Sequence, residues 1–338
     1  MKNFWINELP MKYHPLVTFI IINWNGGEFV QQCIYSILNQ TYDNIEVLVV
    51  DNCSTDNSVA FIESFVNKFP IVRLIKNNKN FGFSRACNIG ANHANGEFIV
   101  FVNNDAILNH DWLINIINKI TYNPNVAVAS GPIFYYSNPR LIWSLGARFD
   151  KVSGFSWNLG QKKYHFQNGE FDYLSGCVML VNKNVFKKIG MFDESFFIYD
   201  DDIDLCFRAK YLGYKLEFVD ESISFHKVSE SKKKLPYKIY YYKARSDIMF
   251  CFKHLNIQYI FTSIFFHILQ YFAEAFLFKM NPLYFFLGIK AFLWNLINLN
   301  TIFKKRVTGN NIHWKPKNRF KEFISIAKDR VMRREIFW

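Results

Sequence analysis

The residues best suited to chemistry in this chain are acids placed where apolar runs stop. Asp200, Asp201, Asp202 and Asp204 put four carboxylates within five residues, in the stretch FFIYDDDIDL. Such crowding raises some carboxyl pKa values by mutual repulsion and is tolerated beside a cation or a helix N-terminus. One of these acids could then act as a general base. The alternative is an acidic first helical turn, with Ile203, Cys206 and Phe207 as its buried face. Asn103-Asn104-Asp105 closes the run EFIVFV, and a lone carboxylate at the end of a buried strand suits Mg²⁺ or Mn²⁺. A plain turn uses the same residues. Asp51, in VVDNCSTDNS, could accept hydrogen bonds from a ribose or a base, or could belong to the turn before a helix capped by Asp56. His226 could complete a metal site with Asp105, although a lone histidine is more often only a partly buried polar side chain.

Positioning these residues requires strands that end where they stand. VTFIIIN (17–23), IEVLVV (45–50), residues 71–75 and EFIVFV (97–102) read as buried strands. Amphipathic stretches to about Gln40, to about Lys68, over 83–94 and over 111–122 read as helices between and after them. This alternation predicts a doubly wound, mostly parallel α/β sheet, whose ligands bind at the carboxyl ends of the strands. Asn23, Asp51 and Asn103-Asn104-Asp105 fall at those ends. A further strand is expected over 174–181, and a helix closed by Gly213 after the acidic run. No glycine-rich phosphate loop is present, which argues against dinucleotide hydride transfer and P-loop chemistry.

Composition narrows the class. With 338 residues, half of them hydrophobic and a fifth charged, the chain is not disordered. Its mean hydropathy of −0.03 excludes a multi-span membrane protein. The six cysteines form no CxxC pair and read as reduced thiols in a cytosolic compartment. The N-terminus carries no signal-peptide pattern. The net charge of +12 is concentrated at one end. Residues 1–228 hold 20 Lys and Arg against 22 Asp and Glu, and residues 229–338 hold 20 against 6.

Taken together and in order, VTFIIINWNG, VVDNCSTDNS, NKNFGFSRACNIG, EFIVFVNND, the stretch from YLSGCVMLV to DDDIDLCFRAKYLG and the later His226 resemble glycosyltransferase family 2. The similarity is to its rhamnosyltransferase-like branch and covers about residues 15–245. The resemblance implies a GT-A fold, a nucleotide-sugar donor, a divalent cation (Mg²⁺ or Mn²⁺) and inversion at the anomeric carbon. By position it implies Asp202 as general base with Asp201 beside it, and Asp105 and His226 as metal ligands. Asn103 stands where the family's DXD element has its first Asp. The donor would meet Asn23, Asn25, Asp51, Asn80, Gly82, Arg85, Asn88 and Asn104. The expected donor is dTDP-L-rhamnose, with UDP-hexoses close behind. The expected acceptor is a hydroxyl of a glycan or lipid-linked glycan.

The expected organisation is an N-terminal extension (1–14), a GT-A domain (15–235) and an aromatic, basic helical extension (236–338). Between Leu255 and Asn300, 13 of 46 residues are aromatic, and a basic tail follows. Aromatics rimmed by Lys and Arg suit a helix lying on an anionic membrane surface, which would make the enzyme peripheral at the inner face of the cytoplasmic membrane. Packing in a core or a true span are the alternatives. Two rival readings are a nucleic-acid-binding protein using the basic tail, which lacks any recognisable binding motif, and an inactive GT-A scaffold.

Overall fold

The computed structural model describes residues 14–160, 171–228, 236–306 and 316–332. Nearly all of the expected N-terminal extension, and parts of the chain before 171 and after 306, lie outside them. The chain opens with β1 (Val17–Asn23), α1 (Phe29–Leu38), β2 (Ile45–Asp51), α2 (Ser58–Lys68), β3 (Val72–Lys76), α3 (Phe83–His93) and β4 (Phe98–Asn103). Next come β5 (Ala106–Leu108), α4 (Trp112–Ile120), β6 (Val126–Ser130), β7 (Ile133–Tyr135), β8 (Asn138–Ser144), β9 (Ala147–Phe149) and β10 (Ser156–Asn158). Then follow β11 (Val178–Asn182), α5 (Lys183–Lys188), α6 (Asp201–Tyr211), β12 (Lys215–Phe218) and β13 (Ser224–His226). The described helices beyond are α7 (Pro236–His254), α8 (Ile257–Ala273), a π-helical turn (Glu274–Phe278), α9 (Leu283–Ile297), α10 (Leu299–Lys304) and α11 (Phe320–Met332).

Seven strands form the main sheet in the order β12-β6-β11-β4-β1-β2-β3. β11 runs antiparallel to both of its neighbours, and the other described pairings in this sheet are parallel. Because successive strand residues point to opposite faces, Phe19, Ile21, Val47 and Val49 pack on one side with Val30, Ile34 and Leu113 of α1 and α4. Ile20, Leu48 and Val50 pack on the other with Ala86 of α3 and Ile203 and Phe207 of α6. The sequence expectation of a doubly wound, mostly parallel sheet matches this arrangement.

Two features of the topology place the candidate residues. In the parallel register Asn23 pairs with Asp51 and Ile22 with Asn103, so the ends of β1, β2 and β4 form one rim. A smaller sheet, β5-β13-β7-β8, sits beyond that rim. There β13 pairs antiparallel with β5, setting His226 opposite Ala106, the residue after Asp105.

The expected boundary at 235/236 falls at the edge of the undescribed stretch 229–235, and the helix after it packs into the same core. Ile248, Met249, Phe250 and Cys251 of α7 belong to the cluster that contains Ile20 and Phe207. A buried ionic clasp adds to this packing. Asp204 of α6 meets Arg208 at 2.8 Å, Lys253 of α7 at 2.6 Å and His254 Nε2 at 2.8 Å. Removing one partner from such a buried cluster costs about 3–5 kcal/mol.

Candidate active site

A cavity of about 420 Å³ opens at the rim of the sheet. Its walls include Asn80, Gly82, Asn104, Asp105, Asp201, Asp202 and His226. Residues spread over nearly half the chain therefore face one space.

Asp105 follows β4 directly and is 6% exposed, and its Oδ1 lies 3.2 Å from His226 Nε2. Its other oxygen, Oδ2, is buried without a hydrogen-bond partner. An orphaned buried carboxylate oxygen beside an imidazole is a donor pair suited to a hard or borderline divalent cation. Among the described residues no group of three or more His, Cys, Asp or Glu could hold a metal. A cation here would take its remaining ligands from water or a substrate phosphate. Burial opposes charge on His226, but the Cys177 thiol and Asp105 carboxylate face it, and the balance carries its pKa up from 6.5 to about 10, so a cation binding here would have to displace that proton. Trp143 packs edge-on against the ring at 4.7 Å.

The acids at the start of α6 have different surroundings. Asp200 adopts a left-handed conformation (φ 59°) that turns the chain into the helix. Asp202 accepts hydrogen bonds from Gly176 N–H at 2.8 Å and Ile203 N–H at 2.8 Å. Burial raises its pKa, and those two N–H groups pull the other way. Asp201 is 5% exposed, with Oδ2 unpartnered, and burial together with the charge of Asp202 holds its pKa well above the usual carboxylate value. Asp202 is therefore the member of the pair that loses its proton more readily. Asp204 points away into the clasp with α7, and despite burial the charges of Arg208 and Lys253 hold its pKa far below normal.

The segment leading into these acids is held from two sides. Phe83 N–H donates to Phe197 O at 2.7 Å, and Ser246 Oγ on α7 donates to Ile198 O at 3.0 Å. Tyr242 stacks on Phe197 with ring centroids 4.2 Å apart. Lys243, also on α7, reaches Asp200 at 3.6 Å and pairs with Asp247.

The remaining expected donor residues divide into three groups. Asn80, Gly82 and Asn104 line the cavity, with Asn80 Oδ1 accepting from Gly82 N–H at 2.9 Å. Asn23, Asn25 and Asp51 stand behind the rim and hold its loops. Asn23 Nδ2 donates to Asp51 Oδ1 at 2.8 Å and to Ser58 Oγ at 2.9 Å, while its Oδ1 accepts from Asn104 Nδ2 at 3.0 Å. Asp51 also accepts from Ser54 N–H at 3.0 Å, and Asn25 Oδ1 accepts from Thr55 N–H at 2.7 Å. Arg85 and Asn88 are not among the cavity-lining residues. Arg85 is drawn outward over the Phe81 ring, 4.3 Å away, and towards Glu194 at 3.8 Å. Asn88 is buried, its amide bridging Phe192 N–H at 3.1 Å and Phe192 O at 2.9 Å.

The comparisons with known proteins fit this geometry. The sequence profile of glycosyl transferase family 2 matches residues 18–190, half of the chain. The chain belongs to that family. Relatives include the glycosyltransferase GlyG of Streptococcus pneumoniae, 26% identical over 63% of this chain and 70% of its own length. An uncharacterised glycosyltransferase of Rickettsia typhi is 31% identical over 58% of this chain and 59% of its own length. Across the first three curated relatives the chain spans from 36% to 70% of their length. Among solved structures, the mannosyltransferase PcManGT from Pyrobaculum calidifontis, in complex with GDP-Man and Mn²⁺, superposes with a TM-score of 0.53. That match is 18% identical and covers 95% of this chain and 81% of the other, which establishes the shared GT-A fold.

Sequence reasoning missed the contributions of Gly176, Trp143, Tyr242 and Lys243 to this site. Lys243 and Asp247 stand four residues apart on one helix, and nothing in that spacing signals that α7 turns back onto the acidic segment.

Proposed function

We propose that this family member is a metal-dependent, inverting glycosyltransferase that moves a sugar from a nucleotide-sugar to a glycan or lipid-linked hydroxyl in surface polysaccharide synthesis. Its first donor is dTDP-L-rhamnose, with UDP-hexoses as the second choice. The observation that carries the reading is the shared cavity of Asp105, His226 and Asp202. Its volume lies within the roughly 300–1,000 Å³ typical of small-molecule sites.

In this reading the acceptor oxygen forms a bond to the anomeric carbon while the bond to the diphosphate oxygen breaks, and the hydroxyl proton passes to Asp202. Asp201 stands beside that base, and burial together with the charge of Asp202 favours its protonated form. Asp105 and His226 hold Mg²⁺ or Mn²⁺, which when bound stabilises the negative charge of the leaving diphosphate. Asn80, Gly82 and Asn104 meet the donor, and Asn23, Asn25 and Asp51 keep those loops in place from behind.

The test is thermal melting of the full chain with dTDP-L-rhamnose, UDP-glucose or GDP-mannose, with and without Mn²⁺. A ligand present at about 100 times its Kd adds about 2.7 kcal/mol to the native state. We expect a rise in Tm for one donor class, larger with Mn²⁺, followed by metal-dependent release of nucleoside diphosphate. Unchanged melting with every nucleotide-sugar would overturn the reading.

A further inference from the structure

The C-terminal helices carry large apolar side chains on their outer side. On α8 and the turn after it, the buried side carries Ser263, His267, Gln270 and Glu274, while Phe261, Phe265, Leu269 and Phe272 face outward. Phe261 is 69% exposed and Phe265 62%. On α9, Tyr284, Ala291 and Asn295 are buried, and Phe286 and Ile297 lie outside at 65% and 83% exposure. The two outward faces adjoin, since Phe276 of the π-helical turn lies 6.0 Å, ring to ring, from Phe285 of α9. A surface facing water has the opposite arrangement, and a contiguous apolar face of this kind marks an interaction site.

Charge identifies the partner. From 255 to 319 the sequence holds eight Lys and Arg and a single carboxylate, Glu274, which is fully buried. Lys290 lies exposed on α9 near Phe286, and Lys304 lies exposed just beyond it. An apolar face bordered by positive charge and free of exposed acids matches an anionic bilayer, which accepts aromatic side chains at its boundary and draws Lys and Arg to its headgroups. The stretch Ile257–Phe278 is long and apolar enough to cross a membrane. However, its inner side is packed against α7 and the α/β domain through Tyr271 and His267: Tyr271 OH donates to Ala244 O of α7 at 3.4 Å, and the His267 ring lies tilted against Phe155, centroids 4.4 Å apart. The helix therefore runs along the protein, with one side packed and the other exposed.

We propose that the joint outer face of α8 and α9 docks this protein onto an anionic membrane surface. The inference goes beyond the transfer reaction and does not depend on it. Gln270 lines the catalytic cavity from the opposite side of the same helix, so docking sets that cavity about one helix diameter, roughly 10 Å, from the lipid.

The experiment is co-sedimentation of the full chain with phosphatidylcholine vesicles containing about a third phosphatidylglycerol, and with pure phosphatidylcholine vesicles. We expect binding to the anionic vesicles, with about tenfold weaker association for the Phe261→Ser/Phe265→Ser variant. A similar loss is expected for Lys290→Glu/Lys304→Glu, which leaves the apolar face intact. These positions are exposed, so melting temperatures should stay at the wild-type value. Absence of binding to anionic vesicles would overturn the proposal. So would a vesicle-free dimer, seen by sedimentation velocity, that dissociates in the Phe variant, because a second copy would then be the occupant.

Discussion

Asp201 and Asp202 are neighbours of identical chemistry, and their surroundings give them different work. Two backbone N–H groups stabilise Asp202 as a carboxylate, whereas the unpartnered Oδ2 of Asp201 favours the protonated form. Environments that separate the pKa values of a pair assign the acid and the base. Asp202→Asn preserves shape and removes basicity, so we expect kcat to fall by about 10²–10⁴-fold with donor affinity unchanged by calorimetry. Asp201→Asn replaces a carboxyl whose surroundings favour the protonated form, so it should cost less than about tenfold. Equal losses in initial-rate assays would show that the two roles are misassigned. The candidate residues Asp105 and Asp202 were legible because each ends an apolar run or opens a helix, where side chains must leave the core. Asp204 shows the limit of that logic. It shares the same acidic run yet faces inward, because the helical turn carries it towards Arg208 and Lys253, and a list of acids contains no direction.

At the level of elements, the loop before α3 and the segment before α6 are joined at one glycine. Gly82 has φ +85°, and a Cβ there would sit 2.4 Å from Phe197 O. Its own carbonyl accepts from Asn52 Nδ2 at 2.9 Å. Gly82→Ala is therefore strained in its backbone and forces Phe197 away, three residues before the acidic run. We expect a loss of about 1–3 kcal/mol in stability, read as a lower denaturant midpoint. We also expect a drop in kcat larger than any change in donor Kd. A variant with wild-type midpoint and rate would show that this contact does not position the acids. Most element boundaries could be read from hydrophobic period and cap residues, because those signals are local. The direction of β11 could not, since a strand buried on both faces shows the same apolar run whichever way it travels. The pairing of β13 with β5, which brings His226 to Asp105, joins segments more than a hundred residues apart, and no local pattern encodes it.

At the scale of the whole molecule, the clasp between α6 and α7 ties the start of the aromatic, basic extension into the core of the α/β domain. His254 is the sensor in that clasp. Burial and the positive charges of Lys253 and Arg208 outweigh its contact with Asp204, lowering its pKa from 6.5 to about 4. The neutral ring sits between Asp204 and Tyr211 OH, 3.3 Å from its Nδ1. The sign follows from which state binds the proton. Above pH 6.5 both folded and unfolded chains hold this histidine neutral, and its contribution to stability is complete. Between 6.5 and about 4 the unfolded chain takes up a proton that the folded one refuses, so stability falls. The full loss is roughly 3 kcal/mol. Asp200 and Asp201, whose pKa values burial raises, oppose this trend as they protonate in the folded state. The histidine's share must therefore be read as a difference between variants. In urea melts across this pH range, His254→Gln should start less stable at pH 7.5 and lose less on acidification, so that the two curves converge near pH 4. Parallel curves would mean that His254 titrates normally in the fold, and that α6 and α7 are held together by apolar packing instead.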